Sequence, residues 1–495
     1  VVVSSSDVRA YKKYAEEENL ECTEVAVVTD TGRLVMKWRG GDIVNLSRAF
    51  LDTNGVTATA SAEIVSPSDN SPLAAPSNRA SGDAESWKEA LSNLNSCCQR
   101  GLVERFDSSI GASAVLHPYG GKNLATPPNA MCSKIPLLKG DTKTGTLFAF
   151  GFNPDISIWS PYHGAMYAVL ESFAKIAASG GDVTRIRLTF QEYFEKLRKD
   201  PKRWGKPLAA LLGAYEAQMG LGGKDSMSGS FNNIDVPPTL VSFAIVPCNV
   251  ENVISPEFKK AGSRVAIIEI DRDDSLAPVW PDALKKYSAL FGAIKKGEIL
   301  SAQVVGVGGI AAAVSKMCFG NSIGFSLDKN YGGDIFALNE GAIVVELADS
   351  AQASEIFAKL VGETVDSGKI FAGGSSIELS ELYSAWTKPL EGVFATLAEP
   401  SQKGELLKPS YKLRAPNLAR SKVARPKVFI PVFPGTNCEY DTARAFESAG
   451  AIADTFVFNN LSDEKVAESI AEMKRRIDAA QILMIPGGFS AGDEP

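Results

Sequence analysis

The 495-residue sequence predicts an α+β chain that passes, near Lys427, into a doubly wound α/β sheet. Two observations carry this reading. Through the middle of the chain strands and helices come in mixed blocks, whereas after Lys427 they alternate strictly, and strict alternation predicts parallel strands joined by helical crossovers. Turns at the carboxyl ends of such strands are where doubly wound folds hold their chemistry, and Pro434-Gly435-Thr436-Asn437 and Pro486-Gly487-Gly488-Phe489-Ser490 fall there.

The elements follow in order. The N-terminus reads as strand 1–3, helix 7–19, strands 24–29 and 34–37, and helix 45–51. A similar succession returns late in the middle: strand 342–347, helix 353–361, strands 369–371 and 376–379, helix 380–386. This is an internal repeat in which the first copy is expected to be cut off on its N-terminal side. Between the copies, helix 166–178 carries Val169, Phe173 and Ile176 at helical spacing and stops at Ser179-Gly180-Gly181. Strand 264–270 is of the buried type, and an Ala-rich helix, 309–318, starts from paired glycines. Stretches 66–82, rich in Ser, Pro, Asn and Ala, and 400–426, rich in Lys, Arg and Pro, read as linkers.

Composition excludes several classes. A formal net charge of −7 gives no footing for nucleic acid or anionic membrane, and no apolar run approaches a membrane span. The N-terminus lacks the basic and apolar regions of a signal peptide. Seven cysteines without a repeated metal spacing read as reduced thiols in a cytoplasmic protein. Two histidines, His117 and His163, exclude a His-rich metal site.

Two short stretches invite chemistry. Gly487 and Gly488, at the end of strand 482–485, would let backbone N–H groups approach a developing oxyanion. Gly222-Gly223-Lys224-Asp225-Ser226 offers N–H groups and a point charge for phosphate, although its spacing is not that of a Walker loop and such a pattern is more often a plain turn than a site.

The C-terminal pattern resembles the opening of a class I glutamine amidotransferase domain. That resemblance places the nucleophilic Cys beyond Pro495, makes Gly487 and Gly488 oxyanion-hole candidates, and leaves Cys438 as a small buried residue. Across the whole chain, 91–95, 105–111, Trp159-Ser160-Pro161-Tyr162-His163-Gly164-Ala165, Phe190-Gln191-Glu192-Tyr193-Phe194, Arg203-Trp204-Gly205-Lys206-Pro207 and Gly223-Lys224-Asp225-Ser226-Met227-Ser228 resemble the phosphoribosylformylglycinamidine synthase family.

The resemblance implies duplicated aminoimidazole-ribonucleotide-synthetase-like domains followed by a flavodoxin-like glutaminase. Residues 1–65 would end the first domain pair, 66–83 would be a linker, 84–250 and 251–399 the second pair, 400–426 a linker and 427–495 the start of the glutaminase. The implied reaction is the ATP- and glutamine-dependent conversion of formylglycinamide ribonucleotide to its amidine in purine biosynthesis. Its partners would be those small molecules, an N-terminal half and the rest of the glutaminase.

Nucleotide- or substrate-binding candidates are Gly223, Lys224, Asp225, Ser226 and Ala130; His163 is expected to be a hydrogen-bonded structural residue. The resemblance also implies a second nucleotide site with Mg²⁺. Its ligands fall on Met131, Glu171, Lys175 and the stretch 303–309, where only Glu171 keeps the carboxylate that a hard cation requires. Glu171 and Lys175 are spaced i,i+4 in the favourable order, so an ammonium replaces the cation in a vestigial site, or the pair is a solvated surface contact. Alternatives for the segment are a non-catalytic docking half, or another enzyme of the synthetase superfamily.

Overall fold

The structure, a computed structural model, describes residues 1–53, 59–74, 79–106, 113–137, 140–217, 220, 222–397 and 423–489. They divide into two compact units: Thr59–Pro136 with Asp141–Lys403, and Val1–Ala58 with Leu137–Gly140 and Gly404–Pro495.

The larger unit is built around a central helix, Pro161–Ala178. Ser160 caps it by accepting the His163 N–H, and Pro161 sits at its first turn, where a missing N–H costs nothing. Fourteen of its eighteen residues are buried, many of them Ala or Gly. Such a helix can be covered on every side because little side chain separates its backbone from its neighbours.

One covering layer is a five-stranded sheet in the order Met131–Lys134, Thr144–Gly151, Thr239–Asn249, Arg187–Tyr193, Gly223–Ser226, antiparallel except for the last pair. Its inward residues Leu147, Ala149, Ala244 and Val246 alternate with more exposed ones, the two-residue period of a half-buried strand. A seven-stranded sheet, in the order Ile299–Val304, Ile343–Leu347, Arg264–Ile268, Ala358–Val365, Gly324–Leu327, Lys369–Ala372, Ser375–Glu378, supplies Ile268, Ala302, Val345 and Leu347 to the same core. Its other face packs on helix Gly309–Phe319 through Val314 and Met317, and on helix Leu379–Thr387 through Leu382 and Trp386. Helix Pro201–Ala217 completes the jacket, seated through Ala210 and Ala214.

The smaller unit holds a parallel sheet in the order Ile452–Val457, Lys427–Val432, Ile482–Leu483, with helices Glu439–Ser448 and Asp463–Ala479 as crossovers. Val428, Ile430 and Ala451 form its core. Helix Val8–Glu17 belongs to the same unit, where the Asn19 amide group donates to Asn460 Oδ1 at 2.9 Å and accepts the Asn460 N–H at 2.8 Å. The expected α+β class and the parallel C-terminal sheet are both present.

Several local expectations need correction. Residues 1–3 and 24–29 are not strands, because no neighbouring strand pairs with them among the described residues. Residues 45–47 are strand, not helix: Gly41–Ser47 pairs with Arg33–Trp38, and only then does the Ser47 hydroxyl cap a short helix, Arg48–Leu51. The expected helix 353–361 is a 3₁₀ turn, Ala353–Ile356, stopped by Phe357 at φ 58°; Ala358–Val365 is then taken into the sheet between two neighbours. Residues 66–74 are no free linker, since Ser71 and Leu73 are buried and Ser68 O accepts the Trp159 indole N–H at 2.7 Å. Of the second linker, 400–422 lies outside the described residues. The hairpin-then-helix succession recurs: Arg33–Trp38, Gly41–Ser47, Arg48–Leu51 is matched by Lys369–Ala372, Ser375–Glu378, Leu379–Thr387. Both hairpins turn through two positive-φ residues, Arg39 and Gly40 in one, Gly373 and Gly374 in the other.

Gly151 fixes how the first sheet meets the central helix. A Cβ there would lie 2.0 Å from the Ala168 carbonyl oxygen and 2.9 Å from the Ser172 nitrogen, both backbone atoms that cannot swing aside. Gly151→Ala is therefore expected to destabilise the chain by ~1–3 kcal/mol, the usual range for overpacking. A urea-denaturation midpoint equal to that of the parent would show that strand and helix do not lie this close.

Candidate functional site

The close approach at Gly151 brings the main chain on either side of it within reach of the central helix. The Phe152 N–H donates to Glu171 Oε2 at 2.8 Å, and Lys175 Nζ donates to the Phe150 carbonyl at 2.9 Å. Glu171 Oε1 and Lys175 Nζ stand 2.8 Å apart, with side chains only 15% and 17% exposed. The ammonium also lies 4.3 Å from the centroid of the Phe150 ring, on which a partly desolvated cation is held by the ring quadrupole. The pair is thus no solvated surface contact: each charge has a second partner, as a mostly buried ion pair requires.

Beyond Phe152, Asn153 caps helix Pro154–Trp159 with its Oδ1 and donates from Nδ2 to Glu340 Oε1 at 2.6 Å. Glu340 is 3% exposed, and its Oε2 has no hydrogen-bond partner among the described residues. Burial first and the Glu171 charge second push its carboxyl up, to about 8, against smaller opposing effects of Asn153, Lys175 and Arg272. Glu340 is therefore largely protonated at neutral pH. The sequence reading missed it; the one signal was a lone acid in Asn339-Glu340-Gly341, abutting the apolar strand Ile343–Leu347.

These residues do not fit Mg²⁺. Both Glu171 oxygens are engaged by protein donors, and Lys175 places a positive charge beside them. Met131 is a half-exposed thioether, and among the described residues no group of three or more His, Cys, Asp or Glu side chains could hold a metal. Gln303 offers one buried oxygen, Oε1, without a hydrogen-bond partner among the described residues, and a single amide oxygen is too little for an ion that demands near-octahedral oxygen coordination.

The structure does not bring the other candidates together. Ala130, buried, precedes Met131–Lys134 at one edge of the five-stranded sheet, and Gly223–Ser226 forms the opposite edge. Gly223, Lys224, Asp225 and Ser226 are strand and not a loop, in parallel register with Phe190, Gln191, Glu192 and Tyr193. Gly223, Lys224 and Asp225 are exposed. Glu192, which the sequence reading quoted within a motif but not as a site candidate, is buried against them. Burial, then the Asp225 charge, raises its carboxyl to about 7.

His163 has the structural part expected of it. Its Nε2 donates to Ser275 O at 2.9 Å and its Nδ1 accepts the Ser160 hydroxyl at 2.8 Å, while burial lowers its basicity. Cys438 corrects its expectation. It is exposed, at the start of helix Glu439–Ser448. Beside it, Gly487 O accepts the N–H groups of Asn437 and Cys438, both at 3.3 Å. A Cβ on Gly488 would lie 2.2 Å from Gly435 O, so the two turns meet only because that residue is glycine.

Comparisons with known proteins now take their place beside this geometry. Residues 425–495 match the CobB/CobQ-like glutamine amidotransferase domain family. The phosphoribosylformylglycinamidine synthase subunit PurL of Thermoplasma volcanium is 22% identical over 354 residues, covering 66% of this chain and 45% of its own length. That of Cutibacterium acnes is 22% identical over 432 residues, covering 79% and 55%. The subunit PurQ of Methanococcus maripaludis is 44% identical over 69 residues, 14% of this chain and 22% of its own length. Among solved structures, Thermotoga maritima PurL complexed with ATP aligns with TM-score 0.48 and 17% identity, over 74% of this chain and 54% of that one.

The class is thus an α+β unit followed by a stretch, 425–495, that matches a glutamine amidotransferase family. Within that class, the chain is similar to the phosphoribosylformylglycinamidine synthases, as its sequence motifs indicated. It spans about half the length of the curated relatives it matches.

The protonated state of Glu340 gives a pH signature with a definite sign. Its folded carboxyl value, about 8, lies above the ordinary 4.5, so between those values the unfolded chain releases a proton that the folded chain keeps. The contribution to stability is fully present below about pH 4.5 and falls as pH rises towards 8, by at most ~1.4 kcal/mol per pH unit. Glu340→Gln, which stays neutral, is expected to flatten the stability profile across that window in urea denaturation. Parallel profiles for parent and variant would refute the assignment.

Proposed function

We propose that the chain is a segment of a cytoplasmic, ATP- and glutamine-dependent C–N ligase of purine biosynthesis. The reaction would convert formylglycinamide ribonucleotide to formylglycinamidine ribonucleotide. In this reading 84–250 and 251–399 are the second synthetase-like domain pair, 1–65 is the end of the first pair, and 427–495 opens the glutaminase. Gly487 and Gly488 are oxyanion-hole candidates within that glutaminase, whose nucleophile would come from a later turn. Similarity to PurL over most of the chain and to PurQ over its last part supports the assignment.

The second domain pair acts as a structural half with a vestigial nucleotide site. The observation that carries this is the Lys175 ammonium, paired with Glu171 and bound to the Phe150 carbonyl where a cation would otherwise neutralise the carboxylate. An ammonium satisfies that charge without the coordination shell that Mg²⁺ needs to bridge phosphates. The unit then serves as a docking partner for the catalytic half and the glutaminase.

The test is nucleotide binding by isothermal titration. ATP is expected to give no Mg²⁺-dependent gain in affinity with the parent chain. The double variant Met131→Asp, Lys175→Asn, which restores oxygen ligands, is expected to gain one. An electron-paramagnetic-resonance signal from Mn²⁺ ligated by Glu171 in the parent would overturn the vestigial reading. With ammonia as nitrogen donor, turnover by this chain alone would overturn the docking role.

A further inference from the structure

Cys248 differs from the other cysteines of the larger unit. Cys97, Cys98, Cys132 and Cys318 are buried, whereas Cys248 is half-buried near the end of strand Thr239–Asn249. It lines a cavity of about 560 Å³ together with Gly180, Asp182, Arg185, Asn252, Phe291 and Lys295, among others, a size within the range of small-ligand pockets. Its register partner is Gly145, which carries no side chain, and across the gap so left the Cys132 sulfur stands 4.0 Å from the Cys248 sulfur.

The cavity is electropositive. Of its three cations, Lys143 is neutralised by Glu251 at 2.6 Å, but no ion pair engages Arg185 or Lys295 among the described residues. Against them the described wall sets one acid, Asp182, whose Oδ1 accepts the N–H and hydroxyl of Thr184.

We propose that Cys248 is a thiolation site for a small anionic disulfide, of which glutathione disulfide is the probe. Arg185 and Lys295 draw in the carboxylates, and the Cys132 S–H donates to the attacking sulfur. Reactive cysteines are those in electropositive, partly exposed surroundings, and both conditions hold here. The Cys132 hydrogen bond, the foremost cause, lowers the Cys248 thiol below its ordinary value, while the same contact and burial raise Cys132 and keep it protonated.

The exchange balances without a further oxidant. The Cys248 thiolate, its proton already lost to solvent, attacks one sulfur of the disulfide. A new S–S bond forms, the old one breaks, and glutathione leaves as a thiolate with the bonding electron pair. Cys132 stays a donor and not a resolving thiol, because its strand and that of Cys248 are separated by the strand between them.

The experiment uses the full chain with Cys22→Ser and Cys438→Ser, which removes the two remaining accessible thiols. Incubation with glutathione disulfide, followed by peptide mass mapping, is expected to place one glutathione on the Cys248 peptide. Arg185→Glu with Lys295→Glu, both exposed positions, should slow this about tenfold while leaving the rate with neutral hydroxyethyl disulfide within twofold. Cys132→Ala should slow both reagents, and Cys132→Ser, which keeps a donor, should restore the rate. An unmodified Cys248, or a charge-reversed variant equally slow with both reagents, would overturn the proposal.

Discussion

Burial of the helix Pro161–Ala178 between two sheets is the constraint on which the larger unit depends. A helix can be covered on opposite sides only if its side chains are short or its partners yield space, and here both hold. Ala165, Ala168, Ala174, Ala177 and Ala178 are each no more than 1% exposed, and Gly151 lets a strand end rest on the helix backbone. Both sheets contribute strands to the core around this helix, while the other face of the seven-stranded sheet has an apolar core of its own.

The same contact determines the electrostatics of the candidate site. Once Gly151 sits against Ala168, the Phe150 carbonyl and the Phe152 N–H point at the turn carrying Glu171 and Lys175, and two charges that would otherwise need water acquire fixed dipoles. Glu340 then approaches through Asn153 into a place where a further negative charge is unwelcome, so it is kept neutral. Two acids are thus balanced here by one ammonium and one retained proton.

Much of the architecture was legible in the chain because it follows from local periodicity. The central helix, the buried strands 264–268 and 343–347, and the alternating C-terminal elements are each marked by apolar spacing and by Gly or Pro at their ends. Failures came where a segment's state depends on a partner far away in sequence. Residues 24–29 have the composition of a strand and, among the described residues, no strand beside them; 358–360 lie in a helix-compatible run and are claimed by Arg264–Ile268. Asn129 shows the same dependence: its amide donates to Ala302 O and accepts the Val304 N–H, serving the backbone of a remote strand.

By itself the sequence determined the fold class, the synthetase-like and glutaminase-like motifs, and the Glu171–Lys175 pair, since i,i+4 spacing on a helix is a local matter. The tertiary structure alone decided that this pair is largely buried, that Glu340 and Asn153 join it, and that Ala130 and Gly223–Ser226 lie at opposite edges of one sheet. Burial, desolvation and strand order are set by residues distant along the chain, and no local pattern encodes them.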